Sequence, residues 1–213
     1  MTKGVSYLLV CSETSSDITN GLENLCTTLR SNSTLQVPIF IDIATPTGEP
    51  PRGFNVETST PIIAMNHAVM MSGVSYDAII VAGHNGKNSD DDLSHHERLA
   101  VWIGTALSCH RILGAYGSAG VEVLTHHVER WRGAKSLSLS RANSLDQSSG
   151  LVVDGCFVTT TRATPLDAEA FAEAIANRVT LQRSPPPLRT SDPRMRRIPP
   201  YLVPLIRKIR KQK

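Results

Sequence analysis

No stretch of the 213-residue chain approaches the roughly 18 consecutive apolar residues that a bilayer-crossing helix needs, and this excludes a transmembrane segment. The N-terminal MTKGVSYLLVC has only a short apolar patch, ended at once by Ser12, Glu13 and Thr14, so it reads as a first strand rather than a secretory leader. Four cysteines, Cys11, Cys26, Cys109 and Cys156, show neither C-x-x-C spacing nor clustering. That suggests neither a disulfide framework nor a cysteine zinc site, leaves no cofactor or metal to expect, and fits a reducing cytoplasm. Each cysteine is expected to pack as a small hydrophobe, with Cys11, at a strand end, the most accessible. Internal repeats are also lacking.

The net charge of +3 is unevenly spread. From Gln182 onward there are ten of the 22 basic residues and one of the 19 acids, which leaves the first 181 residues at −6 and the tail at +9. Two parts are therefore expected: an α/β domain over residues 1–181, and a Pro-rich linker with a basic amphipathic tail over 182–213. In the tail, Leu202, Leu205, Ile206 and Ile209 share one helical face, and Pro204 limits the first turn.

Along the body, Val5 to Cys11 reads as a buried strand, followed by a helix capped at Ser16 or Asp17 that carries Leu22, Leu25, Cys26 and Leu29 at helical spacing. Val37 to Ala44 is a second strand, ended by the loop TPTGEPPRGFN; PIIAMNHAVMMSG has no decisive pattern. Ala78 to Ala82 is the clearest buried strand. A helix through Leu99, Val101, Trp102 and Leu107 follows an acidic start. Short strands are expected near Lys135 to Leu139 and from Leu151 to Thr160, the latter turning at Asp154-Gly155. TPLDAEAFAEAIANRV carries its own start signal, Thr164 as cap, Pro165 in the first turn and Asp167 three residues after the cap. Alternating strands and helices imply a mostly parallel sheet covered on both faces.

The chain is organised around RILGAYGSAGVEVL, Arg111 to Leu124: a strand, a glycine-rich turn and a helix start. Such an elbow presents one side chain and aims backbone amides at a developing anion. Tyr116, Gly117 and Ser118 occupy the turn, with no cysteine among them and no G-x-S-x-G frame.

The order of strand, Asp17 helix, YDAIIVAGHNG, GAYGSAG, LTHHVERW, VVDGCFVTT and a final Asp-containing helix resembles the PfpI superfamily of class I glutamine amidotransferase-like proteins. Within it the likeness is to the N-terminal domain of AraC-family (GlxA-type) transcription regulators and to isocyanide hydratases. The resemblance implies a flavodoxin-like three-layer sandwich and a homodimer. It puts the superfamily's catalytic cysteine on Tyr116, its histidine, in a Thr-Thr-His-Trp motif, near Thr125, His126 and His127, its glycine pair after the central strand on Gly83 and His84, and its acid on Asp17, with Glu23 a second choice. LRTSDPRMRRI resembles the linker that leads those regulators into their helix-turn-helix, but the remaining chain is too short for a complete motif of that kind.

A phenol with an ordinary pKa of about 10 is a poor substitute for a thiolate, so covalent cysteine chemistry is not expected at this elbow. The leading expectation is a catalytically degenerate domain, a ligand-sensing, dimerising module without the helix-turn-helix. The alternative is an enzyme with rewired acid-base chemistry on a small molecule, using Asp17, Tyr116, and His84, His126 or His127. The ligand pocket would comprise Asp17, Gly83, His84, Asn85, Tyr116, Gly117 and Ser118 at the sheet's carboxyl edge. Tyr116 would either bind the ligand or fill the cavity. His95, His96 and Glu97 suggest metal ligands, but neighbours on a helix diverge by about 100°, which favours a solvated helix start. The basic tail would contact a protein partner, nucleic acid or an anionic surface; only Tyr201 is there to stack on bases.

Overall fold

The computed structural model describes residues 4–13, 19–51, 54, 60–65, 76–83, 91–132 and 150–184. The strands are β1 (Val5–Val10), β2 (Ile39–Thr45), β3 (Ile62–Ala64), β4 (Ala78–Ala82), β5 (Ile112–Tyr116), β6 (Leu151–Asp154) and β7 (Phe157–Thr160). The helices are α1 (Thr19–Ser31), α2 (Asp91–His95), α3 (Glu97–Ser108), α4 (Ser118–Arg132) and α5 (Pro165–Arg183). Nearly all of them lie in the unit Met1–Leu181.

One seven-stranded sheet runs in the order β3-β2-β1-β4-β5-β7-β6. Every pairing is parallel except β6 with β7, which form the hairpin expected at Asp154-Gly155; Gly155 adopts φ 56, where glycine carries no Cβ penalty. The chain winds outward from β1 in both directions, which is the flavodoxin-like arrangement the sequence implied.

Interior strands of a parallel sheet are covered on both sides, and β4 and β5 are buried along their whole length. Alternate residues therefore feed two cores. One holds Tyr7, Leu9, Ile80 and Tyr116 against Leu22 and Leu25 of α1 and Phe171 and Ile175 of α5. The other holds Leu8, Val10, Ile79 and Val81 against Leu99, Trp102 and Ile103 of α3 and Val121, Leu124 and Val128 of α4. Gly114 brings α5 close to β5, since a Cβ there would stand 2.9 Å from the Phe171 Cζ. Thr164 and Asp167 cap α5 reciprocally: the Asp167 amide donates to Thr164 Oγ1 and the Thr164 amide to Asp167 Oδ2, each at 3.3 Å.

The structure departs from the sequence reading in several places. The undecided segment after Thr60 supplies a three-residue edge strand, β3, too short to show a periodicity. The expected single helix after the acidic loop is two, because His96 is extended (φ −74, ψ 110) between α2 and α3. Cys11 is fully buried rather than accessible, since β1 lies mid-sheet beneath α1; Cys109, at the end of α3, is the exposed thiol. The Lys135–Leu139 strand, the caps at Ser16 and Asp17, and the linker and tail beyond Ser184 lie outside the described residues. Among the described residues no helix is long and apolar enough to cross a membrane.

Candidate functional site at the carboxyl edge of the sheet

Parallel pairing brings the carboxyl ends of the central strands together. Register aligns Ala82 with Tyr116 and Tyr116 with Thr160. Two backbone bonds lock the edge: the Gly83 amide donates to the Tyr116 carbonyl at 2.9 Å, and the Gly117 amide to the Thr160 carbonyl at 2.8 Å. The first turn of α4 is pressed onto β4, because a Cβ on Gly120 would stand 2.5 Å from the Val81 oxygen, and one on Gly83 would stand 2.7 Å from the Gly120 nitrogen. Bulkier residues at either place would lift the helix from the strand.

Tyr116 is the last residue of β5, and the sharp bend falls on Gly117, whose φ is 83. The residue at the bend therefore has no side chain to present. Its amide is committed to Thr160, which withdraws one donor from any oxyanion. The Tyr116 ring turns into the α1 and α5 core, 2% exposed, with its centroid 5.5 Å from that of Phe171, and its hydroxyl donates to the Thr164 carbonyl at 3.2 Å. Burial, with the Asp167 carboxylate adding to it, pushes the phenol up to about 12, so it stays protonated at neutral pH.

At this same edge Glu13 Oε1 accepts from the Thr47 amide at 2.6 Å and from Thr47 Oγ1 at 2.7 Å. Burial opposes its ionisation, but these bonds outweigh burial and hold the carboxyl below its usual range.

No protein-family model and no curated protein sequence matches the chain. Solved structures do. DJ-1beta of Drosophila melanogaster superposes with a TM-score of 0.57 at 16% identity, over 84% of this chain and 95% of that one. The chain has the DJ-1/PfpI fold. Oxidized DJ-1 of Toxoplasma gondii matches with a TM-score of 0.52 and 17% identity, over 84% of this chain and 97% of that one. Glyoxalase III from Candida albicans matches with a TM-score of 0.51 and 12% identity, over 82% and 97%. At such identities the likeness is one of fold.

Within that DJ-1/PfpI fold the candidates are dispersed. Gly83, Tyr116, Gly117 and Ser118 meet at the elbow. Asp17, His84 and Asn85 lie outside the described residues. His126 and His127 sit on α4, about 12 Å or more past its first residue at 1.5 Å per residue, so the helix carries them away from Tyr116. His126 is exposed, 5.6 Å from the ring centroid of His95; His127 is buried on the opposite side of the sheet from Tyr116, with Nε2 2.7 Å from the Leu93 carbonyl. Tyr116 and these histidines therefore form no acid-base group. Among the described residues no three His, Cys, Asp or Glu side chains are grouped to hold a metal ion.

Sequence reasoning missed Thr160 and Thr164, whose carbonyls immobilise the Gly117 amide and the Tyr116 hydroxyl. The bend falls on Gly117, one of the three residues assigned to the turn, because the residue that must adopt positive φ is the one that glycine occupies at least cost.

Proposed function

We propose that this chain is a catalytically degenerate member of the DJ-1/PfpI fold that works as a dimerising, ligand-sensing module, of the kind found at the N-terminus of AraC-type regulators. One observation carries the reading: the bend is Gly117, and the adjacent Tyr116 is packed on Phe171 with its hydroxyl tied to Thr164. The DJ-1/PfpI fold has enzymes among its members, glyoxalase III included, so the fold alone does not argue against chemistry. The rewired-enzyme alternative needs Tyr116 in an open pocket beside a histidine, and the packing of Tyr116 counts against it.

The direct test is to assay the purified chain with methylglyoxal, an isocyanide and a simple amide. The expected result is no turnover above buffer, for the chain and for Tyr116→Cys alike. Turnover that Tyr116→Phe abolishes would overturn the reading. Dimerisation is checked by analytical ultracentrifugation, a single monomeric species counting against it. The basic segment after Leu181 belongs to the proposal as a separate contact arm. Removing residues 185–213 is expected to abolish association with a protein partner, DNA or anionic liposomes without unfolding the body.

A further inference from the structure

One feature left unused by this reading lies on the other side of the sheet, between α3 and α4. A cavity of about 370 Å³ opens there, within the size range of small-molecule sites. Its walls are two helical faces: Glu97, Ala100 and Val101 from α3, and His127, Arg130 and Trp131 from α4. Spacings of three and four residues put each trio on one side of its helix.

Trp131 is laid down deliberately. A Cβ on Gly104, in the middle of α3, would stand 2.5 Å from the Trp131 Cε3, so only glycine lets the indole lie against the helix there. Glycine in a helix interior costs about 1 kcal/mol relative to alanine, yet the tryptophan it admits remains 56% exposed. An indole fixed against a helix with half its surface open is a stacking platform.

The charges are complementary across the cavity. Glu97 on α3 and Arg130 on α4 have opposite sign, and no ion pair joins either of them to another described residue. At the inner wall His127 donates from Nε2 to the Leu93 carbonyl, because a carbonyl can only accept. In the neutral ring Nδ1 is then an acceptor, and it is buried without a partner. A buried acceptor left unsatisfied is unfavourable, and an O–H or N–H group entering the cavity would relieve it.

We infer that the cavity between α3 and α4 binds a small zwitterionic aromatic molecule, an aromatic α-amino acid being its simplest form, with the ring on Trp131, the ammonium at Glu97 and the carboxylate at Arg130. A hydroxyl or ring N–H on the aromatic end answers the free Nδ1 of His127. This site is independent of the elbow, and it stands whether or not the elbow retains chemistry.

The test uses the full chain and L-tyrosine as probe in isothermal titration calorimetry. Tyramine, 4-hydroxyphenylacetate and L-leucine serve as comparators that lack the carboxylate, the ammonium and the aromatic ring respectively. Saturable binding of L-tyrosine is expected with a Kd below about 5 mM, and each comparator is expected to bind about tenfold more weakly or worse. Glu97→Gln and Arg130→Gln, both at exposed positions, are each expected to weaken L-tyrosine about tenfold with unchanged thermal melting. Absence of saturable binding, comparators equal to L-tyrosine, or affinity unmoved by both variants would overturn the inference. So would a Trp131→Ala variant that converts a dimer to a monomer in ultracentrifugation, because the platform would then belong to a second copy of the chain.

Discussion

His127 Nε2 lies 2.7 Å from the carbonyl oxygen of Leu93, and this bond ties the five-residue α2 to the middle of α4. Burial lowers the affinity of this imidazole for a proton. The bond to Leu93 works the other way, and the positive neighbours His126, Arg130 and His96 reinforce the lowering. With the folded value below the unfolded value of about 6.5, stability is full above that pH. It is lost as pH falls from there through the folded value, because the unfolded chain takes up a proton that the folded chain resists. Denaturation midpoints at pH 7.5 and 5.5 should therefore differ more for the wild type than for His127→Gln, which keeps an amide donor for Leu93. Equal differences would show that another group sets the acid sensitivity.

The Tyr116 phenol gives the opposite slope. Its folded pKa, about 12, exceeds the unfolded value of about 10, so its contribution is full below pH 10 and is lost as pH rises through 12. Tyr116→Phe is expected to cost about 1 kcal/mol at neutral pH, from the lost bond to Thr164, and to flatten the alkaline fall in stability. Spectrophotometric titration at the phenolate band checks the assignment. One tyrosine titrating near pH 12 in the wild type should be missing from the variant.

Gly120 and Gly155 separate two reasons for a glycine. A Cβ at Gly120 meets the Val81 oxygen at 2.5 Å, and Gly120→Ala should displace α4 from β4 at a cost of about 1–3 kcal/mol. At Gly155 nothing lies within 4 Å and only φ 56 matters, so Gly155→Ala should cost about 1 kcal/mol. Chemical denaturation of the two variants, with amide exchange of the α4 first turn, distinguishes them. Increased exchange there is expected for Gly120→Ala alone.

Thr164 is both a helix cap and the carbonyl acceptor for Tyr116. Thr164→Ala removes only the cap, and should lower stability by about 1 kcal/mol while leaving the phenol titration in place. A loss of the high-pH tyrosine step in this variant would mean that the cap positions the carbonyl.

Much of this fold could be read from residue order. Ala78 to Ala82 and Ile112 to Tyr116 are unbroken apolar runs because interior parallel strands are covered twice, and α5 announces itself through Thr164, Pro165 and Asp167. The break at His96 could not be read, since Asp91 to Ser108 has no proline or glycine until Gly104 and the pause between α2 and α3 arises from tertiary packing. The candidate site was half legible. Gly83, Gly117 and Ser118 followed from the strand-turn-helix pattern, whereas the direction of the Tyr116 ring depends on strand register, which one residue of slip reverses. The cleft of Glu97, Arg130 and Trp131 could not be seen at all, because its two walls are some thirty residues apart and Gly104 looks like an ordinary helix defect.

The two borders of the sheet limit how copies of this protein can associate. Among the described residues β3 offers only three as a template, and β6 turns antiparallel and ends on the exposed carboxylate of Asp154. Neither border favours the addition of a foreign strand. Assemblies of this chain are therefore to be sought through helical surfaces and loops, and a ribbon of hydrogen bonds running unbroken from one subunit into the next is not expected.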